Sequence, residues 1–258
     1  MSEVIPTYSA PAAFVALVPM RAGSKGLPGK NLRDLCGLPL YVHSVRVARA
    51  AGAEAVVIST DIAAVLAADH GPGVVPVARP PELATDCAQM AEVVLHALSA
   101  EAGLAIDDDA IVVLLQPTSP LRSADDVLRA VNAIADAEGE LAMGVTRVDS
   151  GVLKYGRVID GRFAPLSQPE HCFANRQSLP PVYRPNGAVY AFRAGWFRRN
   201  GGFETPDIVA VEMNAARSID VDCIEDLERD ARVPPLPRRG QLDPAFGLGP
   251  SLHGPGPT

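Results

Sequence analysis

Apolar positions along the chain form short continuous runs that alternate with longer stretches of helical periodicity. Residues 14–18 (FVALV) are an unbroken apolar run that stops at Pro19, the pattern of a strand buried on both faces. Residues 40–51 place Val42, Val45 and Ala48 at helical spacing. Residues 55–59 (AVVIS) predict the next buried strand, and a helix carrying Ala64, Val65 and Ala68 follows Asp61. A short strand at 74–77 precedes a helix at 88–98 with Val93, Val94, Ala97 and Leu98 on one face. Residues 110–115 (AIVVLL) are the most apolar strand. The helix at 123–138 sets Ala124, Val127, Leu128, Val131, Ile134 and Ala135 on one side, and Ser123 with Asp126 supplies a capping box at its start.

Strands alternating with helices of this length predict an α/β fold whose mainly parallel sheet is covered on both faces. In such sheets ligands bind beyond the carboxyl ends of the strands, which directs attention to the loops after Val18, Ser59 and Leu115. Beyond Arg147 the texture changes. Residues 148–185 are turn-rich and carry Lys154, Arg157, Arg162, Arg176 and Arg184 against few acids, which suggests an anion site or a subunit contact. Strand texture returns at 187–192 (GAVYAF), and a final helix is predicted at 223–231. In 234–258 nearly half the residues are Pro or Gly, a composition that predicts a flexible tail. The domain reading is therefore a main unit of 12–147 with 186–233, an insertion of 148–185, and the tail.

Composition narrows the function. The 258 residues are 48% hydrophobic with a net charge of −7, which opposes a dedicated nucleic-acid binder. No apolar run approaches the length needed to cross a bilayer, and the N-terminal residues lack the features of a signal peptide. Four scattered cysteines make no zinc spacing and read as free thiols, so the expectation is a soluble, cytoplasmic protein without membrane or nucleic-acid partners. The five histidines make no metal spacing either.

The loop after the first strand carries the strongest chemical signal. In residues 19–31, Gly23, Gly26 and Gly29 let the backbone turn tightly, while Arg21, Lys25 and Lys30 supply charge suited to a triphosphate; Ser24 and the loop amides add donors. Taken alone, charge and glycine fit a solvated surface loop equally well. The spacing matches neither a Walker A loop nor G-x-G-x-x-G.

The full string Arg-x-x-Ser-Lys-Gly-x-Pro-x-Lys-Asn resembles the signature of the acylneuraminate cytidylyltransferases, the CMP-sialic acid synthetases. The likeness continues in order through Ser59-Thr60-Asp61, Arg79-Pro80, the string from Leu115 to Arg122, Arg184-Pro185-Asn186-Gly187 and the string from Ser218 to Asp222. It implies a three-layer, Rossmann-like nucleotidyltransferase fold, usually dimeric through the insertion, that uses CTP and Mg2+ to join CMP to a nine-carbon 2-keto sugar acid. Arg21, Lys30, Asp220 and Asp222 would be catalytic, with Asn31 and Arg79 on the cytidine and Gln116 facing the sugar. Asp220 and Asp222, two residues apart, present both carboxylates to one side when extended and suit Mg2+, although Asp222 with Glu225 also fits a helix start. Arg184 suits a carboxylate and Asn186 a hydroxyl, and Arg176 and Tyr190 complete the acceptor candidates.

Two departures bear on the acceptor. Asp86-Cys87-Ala88-Gln89-Met90 stands where the family commonly shows Asp-Thr-Ala-Ser-Ser, which replaces small hydroxyls with larger side chains close to the expected nucleotide pocket, and Gly202-Phe203 keeps one member of an aromatic pair. They point to a bacterial relative of sialic acid, such as legionaminic or pseudaminic acid. The alternatives are a cytidylyltransferase for another acidic sugar such as Kdo, and a catalytically silent nucleotide-binding module.

Overall fold

A computed structural model of the chain describes residues 12–23, 26–99, 102, 105–223 and 225–226. The first half runs β1 (Phe14–Pro19), a short hairpin of β2 (Asp34–Leu35) and β3 (Leu38–Pro39), α1 (Leu40–Ala50), β4 (Ala55–Thr60), α2 (Ala63–Leu66), β5 (Val74–Ala78), α3 (Met90–Ala97), β6 (Ile111–Leu114) and α4 (Ala124–Ala135). The second half runs β7 (Leu141–Val148), the hairpin β8 (Gly156–Ile159) and β9 (Arg162–Pro165), β10 (Val182–Arg193), α5 (Ala194–Asn200) and β11 (Ile208–Glu212). Seven strands form one sheet in the order β11-β7-β10-β6-β1-β4-β5. All pairings are parallel except those of β10, which runs antiparallel to β6 and β7.

Strand alternation divides the core into two layers. Ala16, Val18, Val56, Ile58 and Val113 meet Val42, Val45 and Ala48 of α1 and Val127, Val131 and Ile134 of α4. Leu17, Val57, Val112 and Leu114 face the other way, onto Val94 and Ala97 of α3 and Phe197 of α5. Among the described residues, no helix is long and apolar enough to cross a membrane. The four cysteines are free thiols.

The predicted strands and major helices of the first half recur with small changes of boundary. Gln89 caps α3 through a reciprocal capping box with Glu92, so the helix begins at Met90 rather than at residue 88. The helix after Asp61 is a single turn. In the second half, periodicity missed β7, the β8–β9 hairpin, α5 and β11. Residues 182–185, read from sequence with the insertion, are the first part of β10 and pair with 145–148 of β7. Pro185 and Gly187 concealed this strand: its register shifts between Pro185 and Tyr190, and Gly187 takes a left-handed φ of 75°. Of the predicted last helix, 223, 225 and 226 are described: Cys223 lies in a bend, and 225 and 226 are helical. Its remaining residues and the tail lie outside the described residues.

The N-terminus of α4 anchors the sheet edge that carries the loops. Ser123 Oγ accepts from the Asp126 amide at 3.2 Å, and a carboxylate oxygen of Asp126 accepts from the Ser123 amide at 2.9 Å. Asp126 is fully buried, where it also accepts from Arg129 at 2.5 Å. Replacing Ser123 by Ala removes the cap while keeping the helix, and should cost about 1–2 kcal/mol. The expected result is a melting temperature lower by roughly 2–8 °C with unchanged far-UV circular dichroism at 25 °C.

Candidate active site

The carboxyl ends of the parallel strands β1, β4, β5 and β6 lie along one edge of the sheet, and a cleft of about 490 Å³ opens there. Arg21, Gly26, Lys30 and Asn31 reach it from the loop after β1, and Arg79, Thr85 and Asp86 from the segment after β5. Gln116 and Thr118 follow β6, while Asp222 comes from the chain beyond β11.

The cationic loop is braced at several points. The Met20 amide donates to Ser59 O at 2.9 Å, continuing the β1–β4 ladder past the strand end. The Ala22 amide donates to a carboxylate oxygen of Asp61 at 2.8 Å. Asn31, buried, donates from Nδ2 to Arg21 O at 3.1 Å and so ties the end of the loop to its beginning. Gly29 supplies the left-handed turn, with a φ of 65°, that starts the single helical turn Lys30–Leu32. Ser24 and Lys25 lie outside the described residues.

Three cations face the cleft from fixed positions. Arg21 pairs with Asp86 at 2.6 Å. Arg79 is buried and donates from Nε to Ser59 Oγ at 3.2 Å and from Nη2 to Ser59 O at 2.8 Å. Burial lowers the Arg79 pKa to about 10, opposed by Asp61 and assisted by Arg21, so the guanidinium stays charged at neutral pH. Lys30 Nζ lies 3.0 Å from a carboxylate oxygen of Asp222. Arg21, Lys30, Asn31, Arg79 and Asp222, separated by up to about 200 positions in sequence, thus line one cleft.

The segment bearing the late carboxylates is seated by Val221, which is fully buried with Leu27, Leu35 and Leu40. Its amide donates to Thr118 O at 2.7 Å. The Thr118 side chain also hydrogen-bonds the Asp220 carboxyl. A Cβ on Gly26 would stand 2.6 Å from Asp222 O, so the loop approaches this segment as only glycine permits. Desolvation raises the Asp220 pKa above the ordinary carboxylate value; the Thr118 hydrogen bond opposes the rise, Asp222 adds to it, and Lys30 and Arg184 oppose it.

The acceptor candidates divide. Gln116 lines the cleft beside Gly187, where a Cβ would stand 3.9 Å from its Oε1. Tyr190, half-buried on β10, has its hydroxyl pKa raised by burial and by Asp220, and its ring lies 5.5 Å from that of Phe203. Arg184 is exposed and donates to Pro185 O at 3.2 Å, with its charge facing Asp220. Asn186, expected to meet a hydroxyl, is turned inward: Oδ1 accepts from the Ala188 amide at 3.0 Å, and Nδ2 donates to Ser218 Oγ at 3.0 Å. It braces β10 against the chain leading to Asp220. Arg176 is exposed and engaged by Asp149 within the insertion, away from the cleft lining.

Three residues that matter here carried little signal in sequence. Asp61 and Thr118 stood in strings that carried the family resemblance, and Asp86 opened the string that departs from it, but none of the three was assigned a role. The departures can be located. Asp86, Ala88 and Met90 line the cleft beside Arg21 and Arg79, and Phe203 packs into an aromatic group with Phe192 and Phe197.

The donor set fits magnesium. Asp220 and Asp222 offer hard oxygens from one short segment, and among the described residues no cluster of three or more acidic, His or Cys side chains competes as a protein cage. Mg2+ characteristically takes one or two carboxylates and completes its shell with water and substrate phosphates.

Comparison with known proteins agrees with this geometry. Residues 15–196, from β1 into α5, match a family profile described as cytidylyltransferase. A CMP-N,N'-diacetyllegionaminic acid synthase from Legionella pneumophila is 33% identical over 220 residues, covering 81% of this chain and 90% of the relative. An N-acylneuraminate cytidylyltransferase from Streptococcus agalactiae is 29% identical over 215 residues, 82% of this chain and 51% of the relative, so the chain spans about half the length of that protein. A CMP:2-keto-3-deoxy-manno-octonic acid synthetase solved with CTP shares the fold, with a TM-score of 0.61 at 20% identity over 85% of this chain and 96% of the other. With the matched region carrying the basic loop, Arg79 and the Gln116 turn, the chain belongs to the cytidylyltransferase family.

Proposed function

We propose that the chain transfers CMP from CTP to the anomeric 2-hydroxyl of a nine-carbon 2-keto sugar acid, a sialic acid or a bacterial relative, and releases pyrophosphate. The observation that carries this reading is the contact between Lys30 of the basic loop and Asp222, which puts phosphate-binding charge and a metal-suited carboxylate in one cleft. The legionaminic and neuraminic relatives support the acceptor class. In the transfer, the 2-hydroxyl oxygen bonds to the α-phosphorus, the bond to the β-phosphate oxygen breaks in line, and the hydroxyl proton passes to solvent.

Arg21, Lys30 and the loop amides hold the triphosphate, and Asn31 and Arg79 hold the cytidine. Gln116, Tyr190 and Arg184 orient the sugar acid, with Arg184 suited to its carboxylate. Asp220 and Asp222 would hold Mg2+, which when bound supplies charge neutralisation on the α-phosphate and acidifies the attacking hydroxyl. The protein's share of catalysis is then mainly positioning and fixed positive charge. We also read the insertion as the contact between two copies. Eight of the ten exposed large hydrophobic side chains among the described residues lie between Val152 and Tyr183, with Val158 75%, Leu166 66% and Phe173 91% exposed.

The direct test is pyrophosphate release from CTP and Mg2+ with N-acetylneuraminic, legionaminic, pseudaminic and Kdo acids in parallel. Turnover with a nine-carbon acid is expected, and its absence with all three overturns the reading. Arg21→Ala should stay folded and lose roughly a hundredfold in kcat/KM, the effect of one lost charge contact of about 3 kcal/mol. Asp220→Asn should raise the Mg2+ concentration giving half-maximal rate by at least about tenfold, read by metal titration at saturating CTP. Light scattering should give a dimeric mass for the wild type and a monomeric one for Phe173→Asp.

A further inference from the structure

Arg122 is the largest fully buried side chain among the described residues, and none of the assignments above uses it. It closes the turn after β6, directly before the Ser123 cap of α4. One guanidinium nitrogen donates to Ser44 Oγ of α1 at 2.9 Å, and another donates to the carbonyl of Gln116. That carbonyl also accepts the Ser119 amide at 3.2 Å, so Arg122 grips the turn from inside. Two carboxylates face its charge, Asp126 and Asp220. Asp126 is already engaged by Ser123, Arg129 and Arg217. Asp220 is the carboxylate that remains, and it is held to the same turn by Thr118.

Burying a charged group adds little stability compared with apolar side chains of similar volume, so stability alone is a weak reason for a guanidinium here. Geometry supplies a stronger one. Resting on the proposed transferase reading, we propose that Arg122 is a positioning residue that fixes the Gln116–Thr118 turn, and with it the relative placement of the sugar-facing amide and Asp220. It touches no substrate. Its influence passes through the Gln116 carbonyl and through the carboxylate that Thr118 holds.

Arg122→Lys keeps the charge but cannot reach Ser44, Gln116 and the Asp220 side together. Its kcat should fall at least about tenfold and its KM for the sugar acid rise severalfold. CTP binding without sugar should change by less than about threefold, because Arg21, Asn31 and Arg79 are braced independently. Val131→Ala, a cavity in the core face of α4, serves as the control for lost stability: it should lower the melting temperature while keeping kcat and both KM values near wild type. Arg122→Met should share the kinetic defect if it folds. A Lys variant with wild-type kcat and sugar KM overturns the proposal, as does one whose CTP affinity falls in step with kcat. A wild type inactive on every sugar acid overturns the function reading and Arg122's role together, whereas an active wild type matched by the Lys variant removes only the latter.

Discussion

Burial of one small side chain holds the cleft together. Val221 packs against Leu27, Leu35 and Leu40, joining the loop after the first strand to a segment almost two hundred residues later. Its amide is fixed to Thr118, so the short segment that the valine seats carries Asp222 into the cleft and holds Asp220 beside Thr118. Alternation along an extended chain explains the division of labour, with one side chain inward and its two neighbours outward. Burying a valine is worth about 1.5–3 kcal/mol, modest for a fold yet sufficient to decide where two carboxylates sit. Gly26 allows the approach by leaving room for the Asp222 carbonyl.

Positive charge in the cleft is arranged in advance. Arg79 is pinned to Ser59, Arg21 to Asp86 and Lys30 to Asp222, so the cations are oriented by internal partners. Groups fixed in this way need little reorganisation when an anion arrives, which is the condition under which electrostatics aids phosphoryl chemistry. Asp61 belongs to the same arrangement, since it holds the Ala22 amide and faces Arg79.

Much of this was legible in the chain, and the parts that were not have physical causes. The first half follows local rules, with continuous apolar runs for β1, β4 and β6, helical spacing in α1 and α4, and the Ser123–Asp126 cap. The second half does not. β7 carries Gly144 in its middle, where a Cβ would stand 2.6 Å from the Asn186 side chain, and β10 carries a proline beside a register shift. The β8–β9 hairpin turns at Asp160-Gly161, whose left-handed φ angles of 49° and 75° suit a two-residue turn, and its exposed apolar residues obscured the alternation. In the site, residue types revealed the charges of Arg21, Lys30 and the two aspartates, while the inward turn of Asn186 and the capture of Arg176 by Asp149 depend on tertiary partners that no local pattern encodes.

The single reversed strand, β10, has a consequence for how such a scaffold diversifies. It separates β1, β4 and β5, whose loops supply the cations of the cleft, from β7 and β11, and itself bears Arg184 and Tyr190. On the proposed reading, sequence drift on that reversed strand and its neighbours retunes acceptor choice over generations while the half that bears the cations is inherited intact.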